Sequence, residues 1–180
     1  MDPFQVLGID RRYAVDLARL DKTHRELSRA LHPDRFTAAP PGEKRAALSK
    51  AVEVNEAFRV VRDPVRRAEA LFAAHGVAVG EAREPKASPA FLMDVLERRE
   101  ALADAKVEKD AARVRALEAE VRTLAAGAEA ALAAGFDRLG EKEGGADLAA
   151  LVPVLGELRF YRRFLEEAQA VLDEWDDGAL

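Results

Sequence analysis

The chain has 180 residues, of which 49% are hydrophobic, so it is too apolar for a disordered tail and can form one domain or two small ones. Its formal net charge of −5 argues against nucleic acid as the main partner. The sequence contains no cysteine, which excludes disulfides, zinc knuckles and thiolate-bound metal clusters; we expect no metal and no cofactor.

The apolar residues are mostly alanine, leucine and valine at helical spacing, with few aromatics, which predicts an all-α protein. The N-terminus is acidic and lacks a long apolar run, so the sequence predicts neither a signal peptide nor a membrane span. We therefore expect a cytoplasmic protein that does not bind membranes.

The first predicted helix begins at Asp2, an N-cap followed by proline, and ends at Gly8. Asp16 caps a second helix, which must end before Pro33 because proline lacks a backbone N–H and restricts the residue before it. The apolar stripe of this helix consists of Leu17, Leu20, His24, Leu27 and Leu31. Lys22, Arg25 and Arg29 project away from that stripe.

A third predicted helix begins at Glu43 or Lys44, and its stripe consists of Ala47, Ala51, Val54, Phe58 and Val61. Two apolar stripes joined by a loop predict an antiparallel helical hairpin with His32, Pro33 and Asp34 at its tip. Taken alone, these three are ordinary loop residues. Their position after a helix with a basic face is far more specific.

This arrangement resembles the J-domain of Hsp70 co-chaperones. The resemblance covers about the first seventy residues and includes the opening Asp2–Ile9, the run Asn55–Phe58 and the pair Asp63-Pro64. It implies that the tip and the basic face engage ATP-bound Hsp70 and trigger hydrolysis there. The implied Hsp70-binding residues are His32, Pro33, Asp34, Arg25, Arg29 and Lys22. Glu26 and Leu31 depart from the common J-domain pattern, which leaves room for a dedicated Hsp70.

Asp63-Pro64 starts a fourth helix that ends near Gly76, and Ser88-Pro89 starts another. Three long helical patterns follow at about 89–106, 107–139 and 147–175, which predict an antiparallel three-helix bundle. We therefore expect a J-domain over 1–75, a connector over 76–87 and a bundle over 88–180.

The predicted inward stripe of the second bundle helix consists of Val107, Ala111, Val114, Leu117, Val121, Leu124, Ala128 and Leu132. The stripe of the third consists of Leu151, Leu155, Leu158, Tyr161, Leu165, Ala168, Leu172 and Trp175. Pro153 lies early in the third pattern, so this helix either kinks there or begins one turn late.

The helix starting at Pro89 has apolar residues on two sides. Its core stripe consists of Phe91, Val95, Leu102 and Ala105, with Arg98 snorkelling among them. Residues off this stripe are Leu92, Met93 and Leu96, continued by Glu97, Glu100 and Asp104. On the third bundle helix, Phe160 and Phe164 also point away from the predicted core stripe. These residues either pack against the J-domain or connector, or form an apolar docking patch with an acidic rim.

Over its whole length the chain resembles the HscB family of J-type co-chaperones, on the strength of Phe91-Leu92-Met93, Leu96-Glu97 and Arg99-Glu100 following a J-domain. The resemblance implies a dedicated Hsp70 of the HscA type and an iron–sulfur scaffold of the IscU type as partners. It places scaffold binding on Leu92, Met93, Leu96, Glu97, Glu100, Asp104 and Phe160.

No residue in this reading performs chemistry, so we expect a protein that is not an enzyme. Three alternatives remain. One is a J-domain co-chaperone with another client. A second is a structural helical protein that self-associates. A helix-turn-helix DNA-binding protein ranks last, because the loop is too long for that motif and the net charge is negative.

Overall fold

The computed structural model of the protein describes residues 1–80, 87–139 and 146–177, and the regular elements in these ranges are all helical. The all-α prediction is therefore confirmed. The helices are α1 (Pro3–Leu7), α2 (Leu17–Ala30), α3 (Pro41–Arg62), α4 (Pro64–Ala74), α5 (Pro89–Glu108), α6 (Ala111–Leu139), α7 (Ala146–Ala149) and α8 (Val152–Asp177). Among these helices, none is both long and apolar enough to cross a membrane.

The chain divides into two compact units. The first comprises Met1–Ala78 with Phe136–Lys142, and the second comprises Val79–Gly135 with Glu143–Leu180. Each unit has its own core of fully buried side chains. The largest are Phe4, Leu20, Val54, Val61, Leu71 and Phe72 in the first, and Val114, Val121, Leu132, Leu155, Leu158 and Phe164 in the second.

Side-chain caps start the helices where the sequence predicts them. The Asp2 carboxylate accepts a hydrogen bond from the amide of Phe4 at 3.0 Å, and the Asp16 carboxylate accepts one from the amide of Arg19 at 3.0 Å. Asp63 caps α4 in the same way, through the amides of residues 65 and 66. Each such cap satisfies an amide that the helix itself leaves without a partner, which is why the local sequence alone fixes these starts.

In the first unit, α2 and α3 form the predicted antiparallel hairpin. His24 stacks on Phe58 with ring centroids 3.9 Å apart, and its Nε2 lies 2.9 Å from Oδ1 of Asn55. Asp21, earlier on α2, pairs with Arg62, later on α3, at 3.3 Å. Since contacts move forward along one helix as they move backward along the other, the two helices run in opposite directions. The helix α3 begins at Pro41, two residues before the predicted start.

In the second unit, α5, α6 and α8 form the predicted antiparallel bundle. Arg98 of α5 reaches Glu120 of α6 at 3.3 Å, whereas Asp104, later on α5, lies 3.9 Å from Arg113, earlier on α6. The helix α6 therefore runs opposite to α5.

The helix α8 runs alongside α5 in the same direction. Phe91, near the start of α5, packs against Phe160 of α8 with ring centroids 5.8 Å apart. Lys106, near the end of α5, lies 3.9 Å from Glu174, which is later on α8. Contacts thus move forward along both helices together.

The predicted boundary between the first two bundle helices is wrong. The helix α5 continues to Glu108 and ends at Lys109, whose φ of 52° is left-handed. Asp110 then caps α6, since its carboxylate accepts a hydrogen bond from the amide of Arg113 at 2.9 Å. Val107 consequently belongs to α5 and is exposed, so its assignment to the inward stripe of the second helix is also wrong.

Pro153 occupies the second position of α8, where its missing N–H leaves no helical hydrogen bond unmade. Of the two alternatives, the structure has the late start, preceded by the short helix α7. Half of the predicted connector, residues 81–86, and nearly all of the predicted loop from Gly140, residues 140–145, lie outside the described residues.

Substituting alanine for either of two glycines in α6 should change the stability of the bundle in opposite directions. A Cβ on Gly135 would overlap the buried side chain of Leu151, with Cδ2 only 2.6 Å away, whereas a Cβ on Gly127 would have no atom within 4 Å. We expect Gly135→Ala to destabilise the bundle by about 1–3 kcal/mol through overpacking. Gly127→Ala should stabilise it by about 0.4–1 kcal/mol, because alanine restricts the unfolded chain.

Urea denaturation measures the free energy of unfolding of both variants. The fluorescence of Trp175, the single tryptophan, reports on the bundle because this residue lies in α8. Changes of the same sign in the two variants would contradict the packing described for Gly135.

Candidate binding surfaces

The tip of the α2–α3 hairpin is an exposed and locally ordered turn. His32 has extended backbone angles (φ −63°, ψ 134°), as expected before a proline, and a short 3₁₀ turn over Pro33–Phe36 follows. The amide of Asp34 donates a hydrogen bond to Nδ1 of His32 at 3.3 Å. The side chains of His32 and Asp34 are 58% and 86% exposed. The turn thus holds both side chains at an open surface.

The hydrogen bond also decides the form of the His32 ring. An Nδ1 that accepts the amide hydrogen carries no proton, so a neutral imidazole has its proton on Nε2. One Asp34 carboxylate oxygen lies 3.4 Å from the same Nδ1, a contact that becomes an ion pair only when the ring is protonated. In the neutral form, Nε2–H is therefore the free donor that the tip offers to a partner.

The basic face of α2 extends back from the tip. Lys22, Arg25 and Arg29 are all exposed. Within the described parts of the chain, none of the three lies within 4 Å of a carboxylate. Asp21 on the same helix is instead occupied by Arg62 of α3. The three cations thus remain available to an acidic partner.

On α5, the structure exposes the apolar residues that lie off the core stripe. Leu92, Met93 and Leu96 are 51%, 56% and 53% exposed, whereas Leu102 and Ala105 on the opposite side are buried. Ser88 starts the helix by accepting a hydrogen bond from the amide of residue 91 at 3.1 Å. The three exposed side chains, here called the α5 patch, therefore project from a capped helix.

The three acidic residues beside the α5 patch differ in how far they are already neutralised. Glu97 and Glu100 are exposed, and neither has a cation within 4 Å among the residues that the structure describes. Asp104 lies 3.9 Å from the guanidinium of Arg113, which also pairs with Glu108 at 3.2 Å. The acidic rim thus consists of two available carboxylates and one that is partly engaged.

Phe160 and Phe164 lie off the predicted core stripe, yet neither is part of an exposed patch. Both are buried; Phe160 is 7% exposed and packs edge-on against Phe91 with centroids 5.8 Å apart. The guanidinium of Arg99 lies 5.9 Å from the Phe160 ring. Because α8 contacts two other helices, its apolar arc is wider than a single stripe. Phe160 lies beneath the surface of α5 in this structure.

Arg98 is more than a snorkelling side chain. Its Nε donates to both Asp94 oxygens, at 2.9 and 3.1 Å, and its Nη1 reaches Glu120 of α6 at 3.3 Å. The hydrogen bond to Asp94 raises the pKa of Arg98 above its ordinary value. The contact with Glu120 ties α5 to α6. The four-residue spacing of Asp94 and Arg98 is a sequence signal for their pairing within α5, but not for the contact with α6.

Within the described residues, no group of three or more His, Asp or Glu side chains is arranged to hold a metal ion.

Both the N-terminal and the C-terminal part of the chain match known protein families. Residues 2–70 match the DnaJ domain family, and residues 87–169 match the family described as the HSCB C-terminal oligomerisation domain. A co-chaperone protein HscB homolog of Burkholderia multivorans is 36% identical over 171 residues, which cover 94% of this chain and 93% of the relative. The homolog of Cupriavidus taiwanensis is 36% identical over 178 residues, covering 98% and 96%.

Solved structures of similar proteins have the same fold. Chaperone HscB from Vibrio cholerae matches with a TM-score of 0.82 and 25% identity, over 97% of this chain and 99% of that one. The crystal structure of human co-chaperone HscB matches with a TM-score of 0.82 and 23% identity, over 94% and 81%. The DnaJ domain and the co-chaperone relatives imply an Hsp70 partner. The chain therefore belongs to the HscB family of J-domain co-chaperones.

Proposed function

We propose that this protein is an adaptor with two binding sites. Its bundle binds an iron–sulfur scaffold protein of the IscU type, and its J-domain delivers that scaffold to an Hsp70 of the HscA type and stimulates the Hsp70 ATPase. The observation that supports this best is that two exposed surfaces of different chemistry lie in different units: the basic face of α2 with its polar tip in the first, and an apolar patch with acidic neighbours in the second. We assign residues 1–75 to the J-domain, 76–87 to the connector and 88–180 to the bundle.

The J-domain site is assigned to His32, Pro33 and Asp34 with Lys22, Arg25 and Arg29. Three exposed cations on one helix attract an acidic surface and speed its encounter. The tip then supplies polar contacts from the His32 ring and the Asp34 carboxylate. Hydrolysis takes place in the Hsp70, so the role of His32 is to bind one Hsp70 conformation better than another.

The scaffold site is assigned to the α5 patch with Glu97, Glu100 and Asp104. Covering half-exposed leucine and methionine side chains lowers the free energy, because apolar surface is removed from water. Such apolar anchors dominate the affinity of most interfaces. Phe160 enters this site as a support, since it packs against Phe91 beneath the helix. Glu97 and Glu100, which have no cation within 4 Å among the described residues, favour a partner with basic residues around an apolar centre.

Carrying both sites on one chain gives the adaptor its effect. A scaffold held by the bundle meets the Hsp70 held by the J-domain at an effective concentration set by the linkage rather than by the bulk solution. No new contact between scaffold and Hsp70 is required for this gain.

The direct test is calorimetric titration of a purified IscU-type scaffold into the full chain. We expect one scaffold per chain, and an affinity that falls as salt is added because Glu97 and Glu100 contribute attraction that ions screen. A chain that stimulates Hsp70 but gives no heat of binding with the scaffold would have a different client.

A further inference from the structure

Val107, in the last turn of α5, is 84% exposed, more than any other large hydrophobic side chain in the described ranges. Neither burial nor helix propensity explains a valine at this position, since its side chain is exposed and β-branched residues are less favourable in helices. A single exposed valine is unremarkable, so its position relative to other surfaces decides whether it has a use.

Val107 lies on the side of α5 that carries the α5 patch. At 3.6 residues per turn, Leu92, Leu96, Ala103 and Val107 fall within an arc of about 60°. Ala103 is also exposed, so it continues the apolar line between Leu96 and Val107. The line from Leu92 to Val107 is about 22 Å long at 1.5 Å per residue. A partner covering about 800 Å², as in a standard interface, can reach along all of it.

Three charged residues near Val107 already lie close to opposite charges within the bundle. Lys106 lies 3.9 Å from Glu174, and Glu108 and Asp104 both lie near Arg113, at 3.2 and 3.9 Å. Covering paired charges does not leave one charge buried alone, which is the costly case. This differs from the other end of the patch, where Glu97 and Glu100 lack a nearby cation among the described residues.

We propose that Val107 is a further specificity-determining contact for the scaffold, so that the docking surface runs along α5 from Leu92 to Val107. This rests on the proposed function and extends its site. The partner surface it fits carries basic side chains opposite Glu97 and Glu100 and an apolar side chain opposite Val107. Continuity with the α5 patch is what assigns the scaffold as its occupant.

Titration of an IscU-type scaffold into Val107→Ala and Val107→Glu variants of the full chain tests the proposal. We expect Kd to rise about fivefold when the two methyl groups are lost, and more than tenfold when a carboxylate must be covered. Ala130→Glu, at an exposed position of α6, is the matched control and should leave Kd unchanged. Because Val107 is exposed, both variants should keep a cooperative thermal unfolding transition, and Val107→Ala should be no less stable than the wild type.

The triple variant Leu92→Ala, Met93→Ala, Leu96→Ala separates the failure of this proposal from the failure of the proposed function. Loss of binding in the triple variant with wild-type affinity in Val107→Glu overturns the extension and leaves the proposed function standing. A wild-type chain that does not bind the scaffold overturns both. Sedimentation of the free protein gives the third readout: a dimer that Val107→Glu converts to monomers would assign this surface to a second copy and overturn the proposal.

Discussion

Replacing Leu92, Met93 and Leu96 together with alanine should weaken scaffold binding by about 100-fold. Fully burying such a side chain contributes about 1.5–3 kcal/mol, and each is already about half covered in the free protein, so each contributes about 1 kcal/mol on binding. Three of them give about 3 kcal/mol, and 1.4 kcal/mol corresponds to a factor of ten in Kd. Isothermal titration with purified scaffold measures the loss.

The matched control removes exposed apolar side chains elsewhere. Leu48 and Val52 on α3 are 61% and 62% exposed, and their double alanine variant should bind scaffold with wild-type affinity. The triple variant should also remain folded, since the three side chains are about half exposed and none of them belongs to the buried core. Equal losses of affinity in the control and the triple variant would show that general surface hydrophobicity, and not the α5 patch, determines binding.

Replacing His32 with glutamine should abolish stimulation of the Hsp70 ATPase, returning the rate to that of Hsp70 alone. Glutamine cannot reproduce the rigid imidazole whose Nδ1 accepts the Asp34 amide while its Nε2 remains a free donor. Asp34→Asn should have a similar effect, because it removes the charge of a carboxylate that is 86% exposed. Single-turnover hydrolysis of ATP bound to the Hsp70 measures both variants.

The control for these variants is Lys50→Gln, which removes an exposed cation of α3 that already pairs with Glu53 at 3.1 Å. It should stimulate hydrolysis as the wild type does. Scaffold affinity should be unchanged in all three variants because the tip and the patch belong to different units. Wild-type stimulation by His32→Gln would remove the tip from the proposed mechanism.

The helix starts could be predicted from the sequence because their causes are local. Asp2, Asp16, Asp63 and Ser88 each cap a helix through an amide two or three residues away, so neighbouring residues contain the whole signal. The hairpin tip was predictable for the same reason, since Pro33 by itself ends α2. The start of α3 was placed too late, at Glu43 or Lys44, although Pro41 at the first helical position is itself a common signal for a helix start.

Features that depend on contacts between helices could not be predicted in this way. The burial of Phe160 was left open because a single stripe describes a helix that packs on one neighbour, whereas α8 packs on two. Val107 was assigned to the inward stripe of the second bundle helix because the break at Lys109, where α5 ends, contains neither glycine nor proline to mark it. Asp110 was the available signal for that break. Asp104 of α5 pairs with Arg113 of α6, and the spacing of residues within either helix does not predict such a contact.

If one chain couples two partners through two sites, its effect appears in the steady-state ATPase rate of an HscA-type Hsp70, measured with this protein and an IscU-type scaffold added singly and together. We expect stimulation by the pair to exceed the sum of the single effects, and this synergy to be lost in both His32→Gln and the α5 patch triple variant. Stimulation by this protein that the scaffold leaves unchanged would contradict the coupling and point to another client for the bundle.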